Sequence, residues 1–351
     1  MVEPNLDTPP PGEDAAIAAI TDMLARKVRA THRPGAIVRR DAHPKHHACV
    51  EATFTIMDGV PPDLRHGLFA RSGRYSALIR FSNGSPAIQH DRRRDARGMA
   101  VKLLGVPAGA GSATGATQDF VLSSDPAFFV RNVADYVLFA RAAADPDASA
   151  AVRAWRAWRF FFSGPPARWR TRELHKMLRC MIRIDNPLGI RYWSQTPYRL
   201  GPLAVKYSAR PLSQPIAPAS RRRPDYLRET MARQLAAAPA AFEFLVQPFV
   251  DQQRTPIEDS TIDWDERVAP SEAVARIDIP VQTVDDPVKL ALAENLSFTP
   301  WHSLQQHAPL GGINRVRRAA YDTVSIIRHE LNRVPREEPA AFTVTGEHHD
   351  A

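Results

Sequence analysis

The sequence predicts an α+β protein with an antiparallel β-barrel core and flanking helices. Strand and helix signals come in separate blocks along the chain instead of alternating, and this order is typical of an antiparallel sheet. Six or more short strand segments are present, which is enough for a sheet that closes into a barrel and removes its exposed edges. With 44% hydrophobic residues in a chain of 351, a sizeable buried core is expected.

The elements follow in order from the amino terminus. Residues 1–12 contain four prolines and are interpreted as a flexible arm. Residues 14–29 place Ile17, Ile20 and Leu24 at helical spacing, which predicts an amphipathic helix. Segments rich in β-formers predict strands at residues 53–60, 75–83, 97–106, 119–123, 203–209, 242–250 and 275–284.

Two helical regions complete the prediction. Residues 126–183, between the two blocks of strands, have a helical pattern in which tryptophans and phenylalanines stand among many arginines. A last helix is predicted over residues 313–332. We therefore expect one domain over residues 13–335, followed by a tail of residues 336–351.

Composition narrows the classes of function. The formal net charge of +8 favours an acidic partner, and two cysteines are too few for a disulfide scaffold or a Cys-rich metal site. The arginine runs at residues 92–94 and 221–223 are interpreted as solvated loops, and no nucleic-acid partner is expected because no nucleic-acid-binding motif is present. No long apolar stretch and no basic-then-apolar amino terminus is found, so we expect neither a membrane span nor a secretory signal, and a cytoplasmic location.

The last predicted helix carries the most informative group of side chains. Arg317, Tyr321 and Arg328 fall within roughly 40° of one another at about 100° per residue, so they share one helix face. Tyr321 and Arg328 are separated by about 10 Å along the axis, which suits a planar ligand lying on that face. A buried guanidinium one turn before a tyrosine hydrogen-bonds the phenol oxygen and favours the phenolate, and a phenolate is a known axial ligand of haem iron. The alternative is a surface helix with solvated arginines.

A second group lies at the start of the first strand block. His43, His46 and His47 precede a strand signal, and strand alternation places Arg80 and Ser82 on one face of the next strand. A serine hydroxyl beside an imidazole can hold its tautomer and its ring orientation. The histidines could instead bind a divalent metal or lie in a solvated loop.

Five segments in this order resemble the haem-dependent catalase superfamily, from about residue 44 to residue 332. They are HHACVEATF (46–54), ALIRFSNGSP (77–86), RRDARGMAVKLL (93–104), DFVLSSDPAFFVR (119–131) and RVRRAAYDTVSIIR (315–328). The stretch 294–315 looks like the shorter, catalase-related branch of the superfamily.

The resemblance implies a haem b cofactor and a role for each matching residue. Tyr321 matches the proximal iron ligand, and Arg317 matches the guanidinium that stabilises its phenolate. Arg328 and Arg80 match arginines that bind the haem propionates. His47 matches the distal catalytic histidine, and Ser82 the serine that hydrogen-bonds that histidine.

The sequence departs from the superfamily pattern in three respects. The distal asparagine falls on Ser123, which lacks an amide donor for peroxide, so weak dismutation of hydrogen peroxide is expected. The arginine three residues before the distal histidine falls on Pro44, with Lys45 or Arg40 as possible substitutes out of register. The chain is shorter than a typical catalase, so we expect a monomer or small homo-oligomer instead of an interlocked tetramer.

The resemblance implies a haem-dependent peroxidase that acts on hydrogen peroxide or organic hydroperoxides with an organic reductant. O–O cleavage would be heterolytic, assisted by the distal histidine and the proximal tyrosinate. An alternative on the same scaffold is a fatty acid hydroperoxide isomerase or dehydratase similar to allene oxide synthase, since the Trp- and Arg-rich segment 153–183 could take a lipid substrate or contact an anionic membrane. A second alternative is a haem carrier without catalysis.

Overall fold

The core of the fold is one antiparallel sheet that closes on itself. The computed structural model describes residues 7–106, 117–143, 148–336 and 338. Its strands are β1 (His46–Ile56), β2 (Gly73–Asn83), β3 (Arg97–Leu104), β4 (Thr117–Ser123), β5 (Tyr192–Trp193), β6 (Tyr198–Leu200), β7 (Leu203–Pro211), β8 (Ala240–Pro248) and β9 (Glu272–Ile279). The strand order is β5-β4-β3-β2-β1-β9-β8-β7, and β5 also pairs with β7, which closes a ring of eight strands with β6 attached to β7. The predicted antiparallel barrel is confirmed.

Aromatic side chains fill the inside of the barrel. The rings of Phe120 and Phe244 have centroids 4.7 Å apart, Phe54 lies 5.1 Å from Phe244, and Tyr207 lies 5.0 Å from Phe120. All four residues are almost completely buried. Rings at these distances pack in tilted and edge-to-face arrangements that stabilise the core beyond simple burial of area.

Within the described residues, helices cover the outside of the barrel. They are α1 (Glu13–Thr31), α2 (Val133–Ala143), α3 (Ala150–Phe162), α4 (Thr171–Cys180), α5 (Tyr226–Ala237), α6 (Pro287–Asn295) and α7 (Gly312–Asn332). Ile20 and Leu24 of α1 pack against Val316 and Ala320 of α7, which ties the first helix to the last. None of the helices in the described part of the chain is both long enough and apolar enough to cross a membrane.

The described part of the predicted flexible arm contacts the start of α7. Asp7, in the predicted arm, accepts a hydrogen bond of 2.8 Å from the backbone N–H of Gly311 and pairs with Arg315 at the start of α7. The described part of the arm is therefore anchored, and residues 1–6 lie outside the described residues. In the predicted tail the structure describes Arg336 and Glu338, and the rest lies outside the described residues.

Most predicted elements are present, and the missed ones are short or weakly patterned. The predicted helices 14–29 and 313–332 correspond to α1 and α7, which begin within one residue of the prediction. The structure adds α5, α6 and the short strands β5 and β6, and β1 begins seven residues before the predicted start at 53. The helical pattern over 126–183 corresponds to α2, α3 and α4, with residues 144–147 outside the described part.

One histidine is built into the barrel core in its neutral form. His307 is fully buried, its Nε2 accepts the backbone N–H of Leu68 at 2.8 Å, and its Nδ1 lies 2.8 Å from the hydroxyl of Tyr207. Burial lowers the pKa of His307 from 6.5 to about 3. The unfolded chain therefore binds a proton near pH 6.5 that the folded protein does not bind until about pH 3.

We expect the free energy of unfolding to fall as the pH is lowered from 6.5 towards 3, with His307 contributing up to about 1.4 kcal/mol per pH unit. The His307→Gln variant lacks this proton and should show a shallower slope in denaturant titrations repeated from pH 7 to pH 4, although it is less stable at pH 7. An unchanged slope in the variant would show that His307 is not buried in the neutral form.

Candidate functional site

Residues from both halves of the chain meet in a cleft between α7 and the outer face of the barrel. Arg80 and Ser82 of β2, Gly98 of β3, and Tyr321 and Arg328 of α7 all line it. These strand residues point outward because side chains alternate along a strand and their neighbours Ile79, Phe81 and Met99 are in the barrel core. The cleft therefore brings together four of the predicted site residues, Arg80, Ser82, Tyr321 and Arg328.

His43 is the histidine that lies in this cleft. Its Nδ1 is 3.0 Å from the hydroxyl oxygen of Ser82, and its carbonyl accepts a 2.8 Å hydrogen bond from the guanidinium of Arg80. The ring lies against Gly98, where a Cβ atom would come within 2.7 Å of Cε1 and Nδ1. A residue with a side chain at position 98 would displace the imidazole, so the glycine is part of the site.

His43 is held in an unusual backbone conformation and in the neutral state. Its φ angle of 61° is in the left-handed region that residues other than glycine rarely adopt. Burial, and then the nearby charges of Arg80, Arg317 and Arg40, lower the pKa of His43 to about 3. The imidazole is therefore an unprotonated base at neutral pH. Strain of this kind persists where the surrounding contacts over-determine it, which is common at functional sites.

His47, the histidine predicted to be distal, lies elsewhere. It is 1% exposed, and its Nε2 is 2.8 Å from Oδ1 of Asn83. It does not line the cleft, and the predicted contact with Ser82 is made by His43 instead. The physical reason is where the strand begins: β1 starts at His46, and His47 stands at the irregularity between His46 and Ala48 in the β1–β2 pairing, while His43 remains in the loop before the strand.

Three guanidinium groups, Arg40, Arg80 and Arg328, form one end of the cleft and are called the arginine group below. Arg80 and Arg328 are 3% and 2% exposed. Burial lowers the pKa of each of the three; for Arg80 and Arg328 the next cause is the charge of Arg40, and Arg328 falls to about 10. Glu294 of α6 is the acidic group nearby, 3.7 Å from Arg40 and 3.9 Å from Arg328.

The arginine group retains unsatisfied donors. Nε of Arg80, Nε of Arg328 and Nη1 of Arg40 are buried without a hydrogen-bond partner among the described residues. Buried N–H groups of a cation are costly when they have no acceptor. Planar guanidinium groups match carboxylates, so this end of the cleft suits a ligand with carboxylate groups.

Tyr321 shares its surroundings with a second tyrosine and with Arg317. Tyr136 of α2 also lines the cleft, and burial, with contributions from Asp41 and Tyr321, raises its pKa to about 12. Arg317 lies close enough for its charge to lower that pKa. The hydrogen bonds of Arg317, however, go to Thr196 at 3.2 Å and Asn314 at 3.4 Å, and its guanidinium lies over the ring of Phe128. The predicted hydrogen bond from Arg317 to the phenol oxygen is not the one that the structure has.

Ser123 is on the cleft face of the sheet but one strand further away. It pairs with Gly98, which in turn pairs with Ser82, so the three residues stand in one row across β2, β3 and β4. Ser123 is 9% exposed and is not among the residues that line the cleft, whereas Val121 of the same strand is.

The sequence analysis mentioned Arg40 and His43 separately but did not identify them as a pair of site residues. A signal for them exists: Arg40 is three residues before His43, the spacing that the resemblance requires between an arginine and the distal histidine. The sequence analysis instead matched His47 with the distal histidine, and the residue three positions before His47 is Pro44. The structure brings Arg40 and His43 to the same cleft, so the pattern is satisfied four residues earlier.

The other predicted possibilities receive little support from the geometry. Among the described residues, no group of three His, Cys, Asp or Glu side chains is arranged to hold a metal ion. In the arginine run 221–223, Arg221 pairs with Asp185 at 2.6 Å and Arg223 with Glu229 at 3.2 Å. This run is thus partly neutralised.

Comparison with known proteins shows the fold. The chain is similar to a fungal catalase, with a TM-score of 0.64 at 16% identity over 84% of this chain and 59% of the catalase. It is also similar to a bacterial catalase, with a TM-score of 0.63 at 15% identity over 88% of this chain and 61% of that chain. No protein-family model and no curated protein matches the chain. The protein has a catalase-like fold, as predicted, and it spans about three fifths of the length of these two catalases.

Glu294 should be required for stability because it is the acidic group beside the arginine group. Replacing it by glutamine leaves buried guanidinium groups without a counter-charge, and we expect the Glu294→Gln variant to lose about 3 kcal/mol of unfolding free energy. The matched control is Glu243→Gln, which breaks the exposed pair with Arg210 and should cost less than about 1 kcal/mol. Denaturant titration measures both, and equal losses would contradict the assignment.

Proposed function

We propose that the protein is a haem-dependent peroxidase that reduces hydrogen peroxide or organic hydroperoxides with an organic reductant. The observation that carries the proposal is the arrangement of the cleft: the phenol of Tyr321 on the α7 wall, the neutral imidazole of His43 on the strand wall, and the arginine group at one end. The catalase-like fold supports the same conclusion.

The residues of the cleft fit haem b in their chemistry. A tyrosine phenolate is a known axial ligand of haem iron, and the unsatisfied N–H groups of Arg80 and Arg328 suit propionate carboxylates. The volume of this half-open cleft, about 150 Å³, is below the range of roughly 300–1,000 Å³ for ordinary cofactor sites. Loading therefore requires that side chains at the edge, such as the one-third-exposed Arg336, move outwards.

When bound, haem supplies the redox chemistry of O–O cleavage. His43 takes the role that the sequence analysis had assigned to His47. When the hydroxyl oxygen of Ser82 accepts a hydrogen bond from Nδ1–H, Nε2 of His43 is left free to take a proton from a hydroperoxide and return it to the leaving oxygen. The low pKa of His43 keeps this nitrogen unprotonated at neutral pH. Arg80 fixes the backbone of His43, and Gly98 leaves room for its ring.

The lining of the cleft favours peroxidase activity over dismutation. Its described residues include no asparagine or glutamine, and Ser123 is set back from it. An amide donor that orients a second peroxide is therefore lacking, and the reductant is an organic molecule in this proposal. We place this activity in the cytoplasm, which the buried free thiols of Cys49 and Cys180 support because thiols persist in a reducing compartment.

The iron ligand can be tested by spectroscopy. Titration of the purified protein with hemin should give one equivalent of bound chromophore, and the Tyr321→Phe variant should lose or shift its absorption bands because the phenolate ligand is gone. Tyr136→Phe is the matched control: this phenol lines the same cleft, but its pKa of about 12 keeps it protonated, so the bands should keep their positions. A protein that stays colourless, or two variants with identical spectra, would refute the proposed ligand.

The two histidines can be distinguished by kinetics. The His43→Gln variant should bind haem but lose peroxidase turnover by on the order of 10²–10⁴-fold, the usual contribution of a positioned acid–base group. The His47→Gln variant should retain turnover per bound haem within a few-fold, because His47 contacts Asn83 outside the cleft. The opposite result would return the catalytic role to His47.

The substrate test separates the proposal from the isomerase alternative. A fatty acid hydroperoxide is incubated with the holoprotein with and without an added reductant, and the products are identified. Reduction to the alcohol that depends on the reductant supports the peroxidase. Conversion without a reductant would identify an isomerase or dehydratase instead.

A further inference from the structure

A row of exposed aromatic side chains on and after α3 takes no part in the proposed active site. Trp155 and Trp158 are 55% and 58% exposed, and Trp169 is 41% exposed. The ring centroids of Trp158 and Phe162 are 6.0 Å apart, and those of Phe162 and Trp169 are 5.4 Å apart. These four residues are called the aromatic surface below. A contiguous exposed apolar patch of this kind usually marks an interaction site.

The aromatic surface is not a misplaced part of the core, because α3 has a separate buried face. Phe160 and Phe161 are 7% and 5% exposed and pack in a cluster with Val130 and Ile313. Trp155, Trp158 and Phe162 are spaced by three and four residues, so they share the other side of the helix. Packing against the protein is thus already satisfied by Phe160 and Phe161. The half-buried Phe162 lies at the edge of that cluster, and the rings of Trp155 and Trp158 are turned to solvent.

Positive charge accompanies the exposed rings. Residues 148–172 contain six arginines and no aspartate or glutamate, although Arg170 pairs with Asp135 and Arg172 with Asp259. The guanidinium of Arg159 lies 5.4 Å from the centre of the Trp155 ring, and Arg168 is exposed between Phe162 and Trp169 in the chain. Tryptophan rings and arginines on an amphipathic helix match the boundary between the headgroups and acyl chains of an anionic membrane.

We propose that the aromatic surface docks the protein onto an anionic phospholipid membrane, with α3 lying in the plane of the interface. Charge decides against a second copy of the chain as the occupant. A symmetric dimer would bring the same patch of both chains together, and the exposed Arg159 and Arg168 of one copy would then face those of the other, which like-charge repulsion disfavours. The proposal does not depend on haem or on peroxidase activity.

Vesicle binding tests the proposal directly. The full-length protein is co-sedimented with vesicles of phosphatidylcholine mixed with phosphatidylglycerol, and with vesicles of phosphatidylcholine alone. We expect binding to the anionic vesicles, a blue shift of tryptophan emission on binding, and release when salt is raised from roughly 0.1 M to about 1 M, because the screening length falls from about 10 Å to about 3 Å.

Two sets of variants separate the contributions of the rings and of the charges. Trp155→Ser with Trp158→Ser should abolish the emission shift and the sedimentation. Arg159→Ser with Arg168→Ser should weaken the partition coefficient by about 25-fold, about fivefold for each basic side chain at an anionic surface. The matched control is Arg92→Ser with Arg94→Ser, which removes two exposed arginines from another surface and should leave binding unchanged. All of these residues are exposed or at helix surfaces, so circular dichroism should show unchanged folding.

Several results would overturn the proposal. Equal binding to neutral and anionic vesicles, no binding to either, or equal losses in the control variant would each show that the surface does not recognise an anionic membrane. A dimer in light scattering that becomes a monomer in the Trp155→Ser, Trp158→Ser variant would show that a second copy covers the surface instead. Binding of free fatty acid but not of vesicles would identify a lipid ligand site instead of a membrane surface.

Discussion

The alternation of side chains along β2 and β3 is the constraint on which both the fold and the cleft depend. Ile79 and Phe81 fill the barrel, while Arg80 and Ser82 between them form the wall of the cleft. A shift of one residue in the pairing would exchange the two sets, so the aromatic core fixes the register of the site. Closure of the barrel removes free edges along which the strands could slip, and the opposing Gly98 leaves the space that the ring beside Ser82 occupies.

The same electrostatic field acts on two parts of the cleft in opposite ways. Buried guanidinium groups at Arg40 and Arg80 repel one another, and Glu294 offsets them only in part. This imbalance favours an anion at that end of the cleft. At His43, burial and then the same positive charges lower the pKa of the imidazole. The cleft therefore contains an end that favours an anion and, beside it, an unprotonated imidazole base. A carboxylate ligand would relieve the repulsion without competing for the imidazole, since the two features are carried by different residues.

Features of the site that depend on local periodicity could be predicted from the sequence. Features that depend on contacts between distant parts of the chain could not. The shared face of Tyr321 and Arg328 follows from helical geometry alone, and both residues line the cleft. Arg317 has the same periodicity, yet the shorter of its two hydrogen bonds goes to Thr196, 121 residues away in sequence, a partner that no local pattern reveals. The distinction between His43 and His47 depends on where β1 begins and on an irregularity in its pairing between His46 and Ala48. The residue types around Pro44 do not predict where β1 begins. The three-residue spacing from Arg40 to His43, however, could have identified His43 as the histidine of the cleft.

The segment after α7 contains a firmly held residue, Glu338, and a loosely held residue at the edge of the cleft, Arg336. Glu338 forms an ion pair of 2.6 Å with Lys102, which is fully buried and also bound to Asp119. Arg336, two residues earlier, lines the cleft and pairs with Asp322 where both side chains are substantially exposed. An exposed pair contributes only about 0–1 kcal/mol, so Arg336 can swing away while the anchor at Lys102 remains. The strand wall has no comparable freedom, because its outward residues are fixed by the packed barrel behind them. Widening of the cleft for a large planar ligand is therefore confined to the side of α7 and the segment after it.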